Sequence, residues 1–128
     1  MNATQVLEAL EEIKATSSKT GKEELVKRHL EDPLFKRVVV AAYDPYVTYG
    51  LKTKKMTANG VGDLGDTPSK WVILEQLASR TLTGNMARAA YDTLIATSNA
   101  PTAEIIWRIV NKDLRAGFTA NTVNRVAP

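Results

Sequence analysis

Asn111-Lys112-Asp113-Leu114-Arg115-Ala116-Gly117-Phe118-Thr119-Ala120-Asn121-Thr122-Val123-Asn124-Arg125-Val126 is a run suited to holding an anion. It reads as the end of one helix, a one-turn break and the start of another. Gly117 takes the left-handed position that follows a helix C-terminus, and Thr119 is a good N-cap for what comes next. No acid stands in the first turn after Thr119, while Arg115 precedes it and Arg125 follows. Unpaired N–H groups and the positive end of the helix dipole then face outward, which suits a phosphate.

The pattern has an echo upstream. Leu82-Thr83-Gly84-Asn85 and Phe118-Thr119-Ala120-Asn121 both read apolar, Thr, small, Asn, with Arg80 before the first and Arg115 before the second. Two other helix starts look closed by contrast. Thr20-Gly21-Lys22-Glu23 has the form of a capping box, and the start near Pro101 to Glu104 also carries an acid. Two helix starts are thus expected to be open to a ligand, where ordinary Thr caps are the plain alternative.

Composition sets bounds on the chemistry. The 128 residues suit a single domain spanning 1–128, and 44% hydrophobic content is enough for a core. A net charge of +3 permits a nucleic-acid partner without requiring one. Glu8, Glu11 and Glu12 make the N-terminal stretch acidic, and positive charge gathers in 19–55 and 70–125. With no cysteine, the chain has no disulfide, thiolate metal site or thiol nucleophile. No apolar run approaches the roughly 18 residues of a membrane span, and no signal-peptide pattern opens the chain. The expectation is a cytoplasmic monomer without membrane contact.

The elements that position these residues are helices. Val6, Leu7, Leu10 and Ile13 share a face over 4–15, as do Leu25, Val26 and Leu30 over 21–31. Asp32-Pro33 opens a third helix with Leu34, Phe35, Val38 and Val39 on its apolar face. Pro45–Leu51 reads as a short helix with Tyr46 and Tyr49 three apart. A Gly-bearing loop covers 52–66, and Thr67-Pro68 starts a helix running to about Ser79. Further helices run from Thr83 to about Thr97, with Met86, Ala90 and Leu94 inward, and from near Pro101 to about Leu114. The last starts at Thr119. The fold expected is all-α: a compact multi-helix domain with short connections and one longer Gly-rich loop.

Other signals are weaker. Gly60-Val61-Gly62-Asp63-Leu64-Gly65 matches G-x-G-x-x-G by letter, but no strand precedes it and no βαβ pattern surrounds it. A flexible loop is the better reading. His29 stands alone, without a second histidine or a cysteine to share a metal. Trp71 and Trp107 read as core anchors. Lys52, Lys54 and Lys55 form a basic run beside Tyr46 and Tyr49, either a solvated face or a set of backbone-phosphate contacts.

Lys112-Asp113-Leu114-Arg115-Ala116-Gly117-Phe118-Thr119 resembles the N-terminal DNA-binding domain of ATP-dependent DNA ligases, particularly those of large tailed bacteriophages. Supporting matches are Arg80-Thr81-Leu82-Thr83-Gly84-Asn85, Leu34-Phe35-Lys36-Arg37-Val38 and the closing Asn124-Arg125-Val126-Ala127-Pro128. The resemblance implies an all-helical domain gripping a nicked duplex through its minor groove. It implies a DNA face of Arg80, Thr83, Gly84, Asn85, Lys112, Arg115, Gly117, Thr119, Asn121, Thr122 and Arg125, to which the basic run Lys52, Lys54 and Lys55, on its phosphate-contact reading above, would add further contacts. It also implies partner catalytic domains in the same parent chain, which use ATP and magnesium in replication, repair and recombination. If the parent is phage-encoded, the compartment is the bacterial host cytoplasm. The lysyl-adenylate motif Lys-x-Asp-Gly is absent, and Lys112-Asp113-Leu114 does not fit it. This chain is therefore expected to be non-catalytic, with no cofactor or metal of its own. It reads as an excised domain, or alternatively a free-standing relative.

Two other functions fit the same residues. A sequence-specific helix-turn-helix protein could read bases with Asn121, Asn124 and Arg125. A helical protein-interaction module needs no nucleic acid at all, but acid-free helix starts argue against it.

Overall fold

The computed structural model describes residues 1–126; Ala127 and Pro128, part of the closing run quoted above, lie outside the described residues. Among the described residues the chain forms α1 (Ala3–Ala15), α2 (Lys19–His29), α3 (Pro33–Tyr43), α4 (Pro68–Ala78), α5 (Gly84–Ala96), α6 (Ala100–Val110) and α7 (Ala120–Val126). The only β pairing among them is an isolated bridge, so the all-α expectation holds.

α6 organises the core. Ile105, Ile106, Ile109 and Val110 are buried with Thr102 and Ala103, too wide a set for one narrow stripe. The helix packs against α1, α3 and α5; α4 lies on α5, and α2 joins α1 to α7. Each fully buried Ile contributes about 1.5–3 kcal/mol. Val38 and Val39 are buried inside α3, so the β-branched run Val38-Val39-Val40 is helical, and Asp32 caps that helix through Leu34 N and Phe35 N.

The helix starts differ from expectation. α2 is capped by Ser18, whose Oγ accepts from Gly21 N at 3.2 Å, so Thr20 lies inside the helix and forms no capping box. No helix carries an acid in its first turn, and Glu104 lies beyond the first turn of α6. Acid content therefore does not separate closed starts from open ones. Side-chain caps do: Asn2, Ser18, Asp32 and Asn99 accept from their helices, whereas Thr67 and Thr83 do not.

Three further expectations change. Residues 45–51 are not helical, because the Asp44 carboxylate accepts from Tyr46 N at 2.9 Å and the Asp44 carbonyl accepts from Val47 N. That Asx-type turn takes over the hydrogen bonds a helix would need. On α5 the inward residues are Ala87, Tyr91, Leu94 and Ile95, and Met86 is 69% exposed. α6 stops at Val110, four residues early, where Asn111 caps it and Lys112 turns left-handed at φ 60°. Beyond it Leu114, Ala116 and Phe118 are buried while Asp113, Arg115, Gly117 and Thr119 are exposed. The expected one-turn break is thus a longer non-helical segment whose alternate side chains cover the core.

The Gly-rich loop is docked. Gly60 N donates to Ser98 O, Gly62 N to Thr97 O, and Asn99 N to Gly62 O at 2.8 Å. A Cβ on Gly60 would lie 2.1 Å from the Thr97 carbonyl carbon, so glycine is there for close backbone approach. Asp63 fixes the loop to α1 and α6 by accepting from Ala3 N, Gly65 N and Asn99 Nδ2.

Candidate nucleic-acid interface

The two echoed sites share a backbone feature that letters alone do not show. Arg80 stands at φ 64° just after the α4 cap, and Arg115 stands at φ 56° before α7. With Lys112, they are the non-glycine residues of positive φ among those described. Such a conformation costs an L-residue roughly 1–2 kcal/mol. Surrounding contacts must hold it.

For Arg80 and Lys112 those contacts reach one segment. Arg80 Nη2 donates to Thr48 Oγ1 at 2.9 Å, and its Nη1 donates to the carbonyls of Thr48 and Leu77. Lys112 Nζ donates to Asp44 O at 2.8 Å and Ala41 O at 3.3 Å. Burial lowers the Lys112 pKa, while the nearby Asp44 carboxylate acts in the opposite direction. Tyr49 lies beneath this segment, donating to Ala41 O, and burial pushes its hydroxyl up to about 12. The segment 41–50 is thus strapped at both ends, by the turn before α5 and the turn after α6. The expected DNA contacts Arg80 and Lys112 have structural work inside the protein.

Tyr43 ties down the next stretch. Its hydroxyl donates to Phe118 O at 3.0 Å and accepts from Leu114 N. Arg115 places its guanidinium 5.3 Å from the Trp107 ring centroid. Trp107 is half-buried, not a sealed core residue like Trp71, and its Nε1 donates to Thr53 O at 3.0 Å. Thr53 also bonds Asn111 and Tyr91, which fixes it between two exposed lysines, Lys52 and Lys54. Lys55 instead pairs with Glu104, which also binds Arg108.

The remaining expected residues fall unevenly. Thr83, Gly84 and Asn85 are exposed at the uncapped start of α5, where Gly84 stands at φ 56° and a Cβ added to it would meet no atom within 4 Å. Thr119 and Asn121 are exposed at the start of α7, and the Thr119 carbonyl accepts from Thr122 N and Val123 N. Gly117 is exposed at φ 77°, left-handed as expected, but it lies within the non-helical segment and not directly after a helix. Thr122 is a correction: it is 9% exposed, packed inward on a short helix. Arg125 pairs with Glu23 at 3.0 Å, the acid expected in a capping box. His29 bonds Glu12 at 2.9 Å and rests against Phe35.

Around the strapped segment the cations Lys52, Lys54, Arg80, Lys112 and Arg115 make no ion pair among the described residues, unlike Arg28, Arg37, Arg88, Arg108 and Arg125, though Lys14, Lys19, Lys22, Lys27, Lys36 and Lys70 elsewhere also make none. Such a group can neutralise phosphates without first breaking a carboxylate contact. Among the described residues, no helix is long and apolar enough to cross a membrane.

This architecture is that of an all-α domain similar to part of a DNA ligase. Over 126 residues, 96% of its length, the chain is 27% identical to the DNA ligase of Enterobacteria phage T4 and equally to that of Enterobacteria phage T6. It spans about a quarter (26%) of the length of each. The solved structure named Pmar-Lig_PreS3 matches 95% of the chain at a TM-score of 0.83 and 25% identity. A second, Pmar-Lig_Pre., matches 99% at a TM-score of 0.73 and 25% identity, and the chain covers 29% of each. No protein-family model matches. The resemblance read from Leu114–Thr119 and its supporting runs is thereby borne out.

Proposed function

We propose that this chain is a non-catalytic domain that binds duplex DNA for a DNA ligase. It holds phosphates and the minor groove around a nick, and other domains of the parent supply the ATP and magnesium chemistry. What carries the reading is the match of nearly the whole chain to a quarter-length portion of phage DNA ligases. The group of cations without carboxylate partners beside the strapped segment supports it. So does the uncapped start of α5, with Thr83, Gly84 and Asn85 exposed on it. The seven-residue α7 has too few aligned peptides for a strong dipole, so Arg115, Lys52 and Lys54 weigh more than the α7 start itself.

Recognition of this kind reads phosphates and groove shape. Fluorescence anisotropy with nicked and intact duplexes of unrelated sequences tests it. Affinities within a few-fold across sequences are expected, and no label should be taken up from ATP and magnesium. Strong preference for one sequence would favour a helix-turn-helix reader, and a covalent adenylate would overturn the non-catalytic assignment.

A further inference from the structure

Lys70 occupies a core register. On α4 it falls one turn before Leu74 and two before Leu77, the face that packs inward, and it is 4% exposed. Its ammonium has three donors, and among the described residues it has one acceptor, Thr97 Oγ1 at 3.2 Å. Thr97 Oγ1 itself donates to Thr93 O at 2.9 Å. Burial lowers the Lys70 pKa, and no carboxylate acts to restore it. A buried charge without a counter-charge costs stability.

The carboxylates of the adjoining elements are engaged elsewhere. Glu75 on α4 pairs with Arg37, and Asp92 on α5 pairs with Arg88. In the loop before α4, Asp63 accepts from Ala3 N, Gly65 N and Asn99 Nδ2, and Asp66 accepts from the Thr67 hydroxyl. None of the four lines the groove between α4 and α5 that Lys70 and Thr97 border. That groove has a volume of about 610 Å³, within the range of small-molecule sites. Its polar end is where the first turn of α4 meets the end of α5 through the Lys70–Thr97 bond. Beyond that end the walls are Val72 and Ile73 on one side and Ala89 and Ala90 on the other, as far as Gln76. From Ser69 to Gln76 the helix advances roughly 10 Å. Val72 is 48% exposed, so α4 shows apolar surface on this side as well as inward.

We propose that the α4–α5 groove binds an apolar monocarboxylate, whose carboxylate accepts from Lys70 Nζ and whose apolar body lies along Val72, Ile73, Ala89 and Ala90. Lys70 is the one charged residue lining the groove among those described, so the site suits a single negative head and offers a polyanion no second cation. The bound carboxylate supplies the counter-charge that the fold withholds. The site stands apart from the duplex-binding reading and does not depend on it.

Calorimetric titration of the full chain with decanoate, below its micellar concentration, tests the proposal, with 1-decanol and decylamine as probes of equal length. Decanoate should bind roughly tenfold or more tightly than either, the effect of one charged hydrogen bond. Lys70→Met should reduce decanoate to the level of 1-decanol, and the domain should melt at or above the wild-type temperature, because an apolar residue then fills the core register. Ala89→Trp, at an exposed wall position, should block decanoate and 1-decanol alike without touching the buried ammonium, which keeps the proposal testable if Lys70→Met does not fold. No binding of decanoate, or equal affinity for decanoate and 1-decanol, would overturn the proposal. So would a Lys70→Met domain that keeps the wild-type preference, or an Ala89→Trp domain that binds decanoate as tightly as wild type.

Discussion

Arg80 and Arg115 share a left-handed backbone and a place ahead of an exposed Thr, but their side chains do different things. Arg80 is a strap with three acceptors in the protein, while the Arg115 guanidinium rests on the Trp107 ring and only its backbone N–H donates to a carboxylate, that of Asp113 at 2.9 Å. Alanine should separate them. Arg115→Ala loses a cation–π contact of about 0.5–1 kcal/mol, so its melting temperature should fall little while duplex affinity falls by the roughly 1–3 kcal/mol of a charged hydrogen bond. Arg80→Ala should lower stability and affinity together, because the segment 41–50 loosens. Thermal melts paired with anisotropy check this, and an Arg115→Ala domain that binds as wild type would move the site away from Trp107. Sequence located both arginines and could not tell them apart, because Thr48 is 32 positions from Arg80 and no local pattern links them.

Helices are legible wherever apolar spacing and a capping residue agree, as in α3, where Asp32 caps as expected. They are hidden where a side chain competes with the backbone. Asp44 turns the expected helix at 45–51 into a strapped turn, and Asn111 ends α6 early. The alternation of Leu114, Ala116 and Phe118 is a usable signal for the non-helical segment, masked by a glycine that resembles a helix stop. Gly60 and Gly62 belong to the same scale: their spacing mimics a nucleotide loop, and the structure uses it to dock a connection on the α5–α6 junction. Gly60→Ala should force that junction apart and cost about 1–3 kcal/mol, the range for overpacked sites. Calorimetry should show the lowered melting temperature, with duplex affinity retained well below it. A full-stability Gly60→Ala domain would mean that the loop is not held as described.

At the scale of the whole molecule, α6 fixes the positions of everything else. It carries Trp107 and Asn111 at one end, and through Thr53 it sets where Lys52 and Lys54 emerge. Arg80 and Lys112 also tie the turn before α5 and the turn after α6 to the one segment 41–50. This convergence is invisible in the sequence, where only the 80–85 and 112–125 runs announce themselves by their likeness. The basic run at 52–55 is divided by the fold, with Lys55 drawn to Glu104 and the other two left in solvent.

The central claim is that these cations neutralise DNA phosphates. Duplex affinity measured against salt concentration tests it most directly. With about four to six phosphates contacted, log K should fall against log salt with a slope of roughly −4 to −5. An affinity indifferent to salt, or no duplex binding at low salt, would contradict the account.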